Sequence, residues 1–232
     1  MTNIKLVVLD MAGTTVDEDN VVYKTVQQVI NDKGFNVSLA EVLAHGAGKE
    51  KHQAITDVLK ACTTASDIPT IAAEAFANFK PTLKLAYEQL EVKTFPGVKE
   101  MMALLRSKAL FVVLNTGYDR HTASSLLLKL GWEVGKDIDG LVTADDVTNG
   151  RPEPDMINKA MELCGIEDPA QVLKAGDSTI DIEEGKNAHC GLTIGVLTGA
   201  QNEEQLKTAQ PDHILPSLAS LPEILKVTAG NL

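Results

Sequence analysis

Five residues spread along the chain are of the types phosphoryl transfer needs: Asp10, Thr116, Arg151, Asp177 and Asp181. A carboxylate such as Asp10 can attack phosphorus, a threonine hydroxyl can donate to a phosphoryl oxygen, an arginine can neutralise it, and paired carboxylates can hold Mg²⁺. There is a physical reason for needing all of them. An anionic nucleophile nearing an anionic phosphorus centre meets a repulsion of about 4 kcal/mol per charge pair at about 4 Å near a surface, which a dication and a cation must cancel. Singly, each residue has an ordinary alternative. Asp10 can open a loop or cap a helix, Thr116 can cap a helix, and Arg151 can be a surface charge before a proline turn. Asp177 and Asp181, one helical turn apart, can form a solvated face or sit at a helix N-terminus favoured by the dipole.

The elements that carry these residues favour the joint reading. Leu6-Val7-Val8-Leu9 reads as a buried strand delivering Asp10 into the turn Met11-Ala12-Gly13-Thr14-Thr15, with Thr14 beside the carboxylate. Leu110–Leu114 is a second buried strand and ends on Asn115-Thr116-Gly117; helix signals follow to Leu130, before Gly131. Leu141-Val142-Thr143 is a shorter strand, and a helix runs from Pro154 to about Cys164. Val172–Ala175 ends on Gly176-Asp177, and Leu192–Leu197 ends on Thr198-Gly199. Strand and helix alternating in this way predict a parallel sheet covered on both faces, where ligands bind beyond the carboxyl ends of the strands.

The stretch from about Val16 to Thr94 has a different character, with apolar residues at helical spacing throughout. Val22, Val26, Val29 and Ile30 mark one helix, Ser38-Leu39-Ala40-Glu41 reads as a capping box opening the next, and Pro81 is expected to kink or interrupt the last. The pattern predicts a core of residues 1–16 and 95–232 and an inserted helical cap, 17–94, with hinges near Asp17-Glu18-Asp19 and Val92-Lys93-Thr94. Within the cap, Gly46-Ala47-Gly48 is a flexible break, and Lys49 is expected in the first turn of the following helix, where the dipole favours a neutral amine. His52, three residues on, would share its face and shuttle protons. The alternative is a solvated lysine and a surface histidine. A nucleotide-binding Walker loop is excluded, since Leu43 stands where its first glycine belongs and Glu50 follows the lysine.

Composition bounds the partners. With 232 residues, 44% of them hydrophobic, the chain can bury a sizeable core, and its net charge of −11 disfavours nucleic acid and anionic membrane, so any phosphate-like ligand must be gathered locally. Cys62, Cys164 and Cys190 have no close pairing and read as buried thiols; with no basic, apolar leader before Asp10, a reducing cytoplasm is the expected location. The apolar face of Val22 and Val26 can pack inside the cap or against a second subunit, so a homodimer stays open.

Asp10-Met11-Ala12-Gly13-Thr14, Asn115-Thr116-Gly117, Arg151 before Pro152, and Gly176-Asp177-Ser178-Thr179-Ile180-Asp181 resemble the motifs of the haloacid dehalogenase superfamily. The resemblance implies an α/β fold with a Rossmann-like parallel-sheet core and an inserted all-helical cap. It also implies an aspartyl-phosphate intermediate on Asp10 and a Mg²⁺ cofactor held by the Asp10 carboxylate, the Ala12 carbonyl and Asp177, with Asp181 in support.

One departure narrows the reading. Most phosphatases and mutases of that superfamily carry a second aspartate two residues after the nucleophile, to protonate the leaving alkoxide; here it is Ala12. Ester cleavage would lose acid help worth ~10²–10⁴-fold. The run Ala12-Gly13-Thr14-Thr15, Thr116-Gly117-Tyr118, Gly150-Arg151-Pro152 and Gly46-Ala47-Gly48-Lys49-Glu50-Lys51-His52 is similar to the phosphonoacetaldehyde hydrolase (phosphonatase) family. That likeness implies that Lys49 forms an imine with the substrate aldehyde, so that carbon leaves phosphorus as an enamine and needs no acid at position 12. Lys49 and His52 take the places of the family's lysine and histidine, and the substrate is expected against Gly13, Thr14, Gly46, Gly117 and Tyr118. His45 replaces a methionine of the family and Asn20 a cysteine, which leaves another phosphonate or a phosphate open as substrate. The alternatives are a capped phosphatase of small esters and a silent sensor of phosphorylated ligands. A sensor has no need of a nucleophile.

Overall fold

Leu6, Val7, Val8 and Leu9 are all fully buried, as a strand flanked on both edges and covered on both faces requires. In the computed structural model, which describes residues 3–47 and 49–227, they form β1 (Leu6–Asp10). The chain continues through β2 (Val16–Asp17), α1 (Val21–Asn31), α2 (Leu39–Gly46), α3 (Lys51–Cys62), α4 (Ile68–Gln89) and β3 (Lys93–Thr94). Strand and helix then alternate: α5 (Val98–Ser107), β4 (Phe111–Thr116), α6 (Arg120–Leu130), β5 (Gly140–Thr143), α7 (Asp155–Cys164), β6 (Val172–Gly176), α8 (Thr179–Asn187) and β7 (Leu192–Val196). Short α9 (Glu203–Lys207), β8 (His213–Leu215) and α10 (Leu221–Leu225) complete it. The chain divides into two compact units, a core unit, Met1–Asp17 with Val92–Leu232, and a helical unit, Glu18–Glu91.

The core is an α/β unit of Rossmann-like design. Its sheet runs β5-β4-β1-β6-β7-β8 with every pair parallel. The winding direction reverses between β1 and β6, and at such a reversal the flanking helices diverge and leave a crevice at the carboxyl ends. Register places Asp10 opposite Asn115 and Leu9 opposite Ala175, so the ends of β4, β1 and β6 lie side by side at that crevice. Below it, Met156, Ile157 and Ala160 of α7 pack on Leu6, Val8, Val113, Val142 and Val172. That is the burial the helical spacing after Pro154 calls for.

Two features depart from the sequence pattern. Val16 and Asp17 pair antiparallel with Thr94 and Lys93, so Asp17 and Val92–Thr94 go with the core unit rather than with the helices. Strands of two residues carry no alternation to read, and β8 is scarcely longer.

In the helical unit α1 buries Val21, Val22, Thr25, Val26, Val29 and Ile30. Val22 and Val26 are thus covered within one copy of the chain, where α1 packs on α4, and offer no apolar face to a second subunit. The capping box opens α2, with Glu41 N–H donating to Ser38 Oγ at 3.2 Å and Ser38 N–H to Glu41 Oε2 at 2.7 Å. Pro81 does not interrupt α4. Pro81 and Ala77, whose carbonyl loses its helical donor, are both exposed, so water can replace the missing bond. Tyr87 donates to Glu18 Oε2 at 2.6 Å, tying the end of α4 to the start of the unit. The three cysteines are unpaired and half-buried rather than fully buried. Among the described residues no helix is long and apolar enough to cross a membrane. Gly48, part of the expected break before α3, lies outside the described residues.

Candidate active site

At the crevice the core unit gathers charge out of water. Asp10, Asp177, Asp181 and Glu184 are buried carboxylates, answered by the fully buried Lys174 and the largely buried Arg151. Arg151 Nη1 lies 2.7 Å from Asp10 Oδ1 and 3.0 Å from Asp181 Oδ1, and Nε lies 3.1 Å from Glu184 Oε2. Its Nη2 donates to the carbonyl and to the side-chain oxygen of Asn115, both at 2.9 Å. Lys174 Nζ lies 3.0 Å from Asp181 Oδ1 and 3.1 Å from Glu184 Oε2 and donates to Asn115 Oδ1 at 2.6 Å. Asn115 closes the network by donating its amide to Glu184 Oε1 at 3.0 Å. Four carboxylates face two cations, which leaves two negative charges in excess.

That excess falls on Asp177. Burial, then Asp10 and Asp181, push its carboxyl up to about 8, and among the described residues no Arg or Lys pairs with it. Its oxygens accept the Ala200 N–H at 2.6 Å and face the Thr14 hydroxyl across 3.5 Å. Asp10 is also raised, by burial first, against the pull of Arg151. Asp181 goes the other way: burial raises it, but Arg151 and Lys174 outweigh that and hold it below the usual carboxylate range. Ligand atoms of Asp10, Asp177 and Asp181 lie within 4.8 Å of one another. Hard oxygen donors around two surplus negative charges suit a hard dication such as Mg²⁺. Both Asp181 oxygens already have partners, Oδ2 accepting from Ser178 Oγ at 2.6 Å, so Asp181 suits a place behind the ion.

The other expected site residues sort by position. Thr116 is buried at the end of β4; its Oγ1 accepts the Tyr118 N–H at 3.2 Å, which leaves its O–H to donate, and the α6 cap is Asp119 instead. A Cβ added to exposed Gly117 would meet nothing within 4 Å, so that backbone is open to a ligand, with half-buried Tyr118 next to it. Gly13, expected against the substrate, makes room for Asp177. Its N–H bonds Val16 O, its carbonyl accepts Thr198 Oγ1, and a Cβ there would come within 2.5 Å of Asp177 Oδ2. Thr14, also expected on substrate, is fully buried and aimed at Asp177. Ala12 is half-buried beside Asp10.

In the helical unit, Lys49 does not stand in the first turn of α3. Glu50 caps that helix by accepting the Gln53 N–H, which puts Lys49 before it, so Lys49 and His52 share no helix face. Lys49 Nζ is held 2.5 Å from Asp57 Oδ2, and this hydrogen bond is the main reason the Asp57 carboxyl sits below its ordinary value. His52 is exposed, its ring edge-on to Phe76. Gly46, expected near substrate, is the last residue of α2, where a Cβ would stand 3.2 Å from that of Ala54; it serves the close approach of α2 to α3.

Sequence reasoning missed Lys174, Glu184 and Asp57. Lys174 had a signal, being a lysine inside a run predicted to be a buried strand. Glu184 and Asp57 look like ordinary helix-surface acids.

A family model described as haloacid dehalogenase-like hydrolase matches residues 4–189. A phosphonoacetaldehyde hydrolase from Bacillus cereus (strain ATCC 10987) is 34% identical, over 90% of this chain and 83% of its own, and one from Latilactobacillus sakei is 28% identical over 97% and 96%. Among solved structures, a phosphonoacetaldehyde hydrolase-like protein from Oleispira antarctica superposes with a TM-score of 0.80 at 24% identity, covering 97% of this chain and 92% of that one. A haloacid dehalogenase-like protein from Agrobacterium tumefaciens gives 0.81 at 19%, covering 96% and 98%. Crevice motifs, strand order and sequence relationship agree that this chain is an enzyme of the haloacid dehalogenase-like hydrolases.

Proposed function

We propose that the chain hydrolyses the carbon–phosphorus bond of a small aldehyde phosphonate, in the simplest case phosphonoacetaldehyde, to acetaldehyde and phosphate. The observation that carries this is Ala12 standing two residues after Asp10 in a chain that also presents Lys49 on its helical unit. Alanine can give no proton to a leaving alkoxide, so the substrate must be one whose leaving group is activated elsewhere, and an amine condensed with an aldehyde does that. The relatives named phosphonoacetaldehyde hydrolase support the same substrate class.

Lys49 adds to the aldehyde and loses water to give an iminium. Asp10 then attacks phosphorus; the electrons of the P–C bond pass into a C=C bond and the iminium nitrogen takes up a lone pair, giving an enamine and an aspartyl phosphate. Protonation at carbon, with His52 as proton carrier, and hydrolysis release acetaldehyde and Lys49, while water frees phosphate from Asp10. Thr116 donates its hydroxyl to a phosphoryl oxygen, the open backbone of Gly117 and Tyr118 lies against the substrate, and Arg151 fixes the Asp10 carboxylate by its 2.7 Å contact. Asp10, the Ala12 carbonyl and Asp177, with Asp181 in support, would hold Mg²⁺, which would supply the positive charge that lets carboxylate and phosphonate meet.

Borohydride reduction of the protein mixed with phosphonoacetaldehyde should leave a covalent adduct on Lys49, and Lys49→Ala should lower acetaldehyde release by ~10²–10⁴-fold. No adduct, with rapid turnover of phosphate esters, would replace this function by that of a small-ester phosphatase.

A second expectation concerns the cation. The Asp177 carboxyl ionises at about 8 in the folded chain against an ordinary 3.8. The unfolded chain gives up that proton first, so in chelator this group makes stability fall as pH rises from about 4 to about 8. Mg²⁺ binding removes the penalty. The melting-temperature gap between Mg²⁺ and chelator should widen over that pH range and level off above it; a gap independent of pH would put the ion elsewhere.

A further inference from the structure

We propose that Asp57 is the proton-transfer partner of Lys49 in imine formation, oriented for that role by Gln53; this rests on the carbonyl chemistry proposed above. A reactive amine, a base within hydrogen-bond reach of it, and a third group fixing the base form the signature of an activated nucleophile. All three are in place within the helical unit. Lys49 Nζ is 2.5 Å from Asp57 Oδ2, and Gln53, one turn earlier on α3, donates its amide to Asp57 Oδ1 at 2.7 Å. The two carboxylate oxygens are thereby told apart: one is held by the helix, the other faces the amine. His52, assigned above to the later protonation at carbon, has its ring against Phe76. The other charges at the pair are Lys60 on α3, which acts on Asp57, and Lys51, whose Nζ donates to the Lys49 carbonyl at 2.8 Å and stands over the Tyr23 ring of α1.

The step balances without an outside acid or base. Asp57 takes a proton from the Lys49 ammonium, and the freed amine forms a C–N bond to the aldehyde carbon while one of the nitrogen's two remaining protons passes to the carbonyl oxygen. The Asp57 carboxyl then protonates that hydroxyl, water leaves, and the nitrogen lone pair closes the C=N bond. Ammonium and aldehyde have become iminium and water, and the Asp57 carboxylate faces the new cation as it faced the old one.

The competing view, a half-exposed ion pair with no part in the chemistry, makes the opposite prediction. A carboxylate beside an amine favours the ammonium, so removing its charge frees the amine and speeds imine formation near neutral pH. Asp57→Asn keeps the shape and a hydrogen-bonding oxygen for Gln53. In the full-length protein with phosphonoacetaldehyde, the rate at which borohydride traps Lys49 should fall by on the order of 10²-fold in Asp57→Asn. The rate should then climb with pH through the alkaline range where the parent has levelled off, and acetate should restore trapping in Asp57→Ala. Trapping in Asp57→Asn as fast as in the parent, or faster, would overturn the role of Asp57 and leave the imine intact. No trapping in the parent would overturn the imine and this role together. Circular dichroism separates loss of rate from loss of fold.

Discussion

Asp10→Asn is expected to lower turnover by on the order of 10⁶-fold, the scale of losing a covalent nucleophile, while leaving the metal-free protein no less stable than the parent. The second half is the sharper claim, since removing one partner of a buried ion pair ordinarily costs ~3–5 kcal/mol. That cost comes from stranding the other charge, and Arg151 is not stranded: it keeps Asp181, Glu184 and both Asn115 oxygens. Meanwhile the substitution removes one of the two surplus negative charges, and with it the second largest cause holding Asp177 up near 8. Denaturant unfolding in chelator should give equal or greater stability for the variant, with a shallower fall between pH 4 and 8. A loss of ~3 kcal/mol or more would mean that Arg151 depends on Asp10 after all.

How much of this was legible beforehand follows from what each residue does locally. Asp10 and Thr116 end buried strands and Asp177 directly follows one, and the switch from mostly apolar strand to polar turn is a strong local signal. Arg151 and Asp181 are recognisable because they sit in short motifs with those turns. The supports behind them leave no such mark. Glu184 falls on the polar-looking helix α8, which nonetheless buries Asp181 and Glu184 because their partner Lys174 comes from the neighbouring strand β6. Only tertiary pairing makes that position acidic. Lys49 shows the same limit from the other side: the residue type and the helix after it could be read, but the start of α3 is decided by the Glu50 side chain reaching Gln53 N–H, and Lys49 is left outside with Asp57 as its partner. A shift of two residues in the helix start takes the amine out of the first turn and sets it beside Asp57.

Lys174→Met is expected to be the most damaging single change to stability in the core unit. Lys174 is fully buried and touches Asp181, Glu184 and Asn115; methionine fills similar space without the charge, so what is lost is electrostatic rather than packing. Arg151 alone would then face Asp10, Asp181 and Glu184, and the uncompensated buried charge should cost ~3–5 kcal/mol. For a chain of this size that is a fall in melting temperature of roughly 6–20 °C. If charge imbalance is the cause, removing a negative charge from the same cluster must restore stability. Glu184→Gln retains an oxygen for the Asn115 amide, and by itself it should cost little, because Arg151 keeps Asp10 and Asp181 and Lys174 keeps Asp181. Combined with Lys174→Met it should recover part of the loss, giving a coupling of ~1–3 kcal/mol in a double-mutant cycle. Strictly additive losses would show that Lys174 acts through packing and that the buried charges are balanced independently of it.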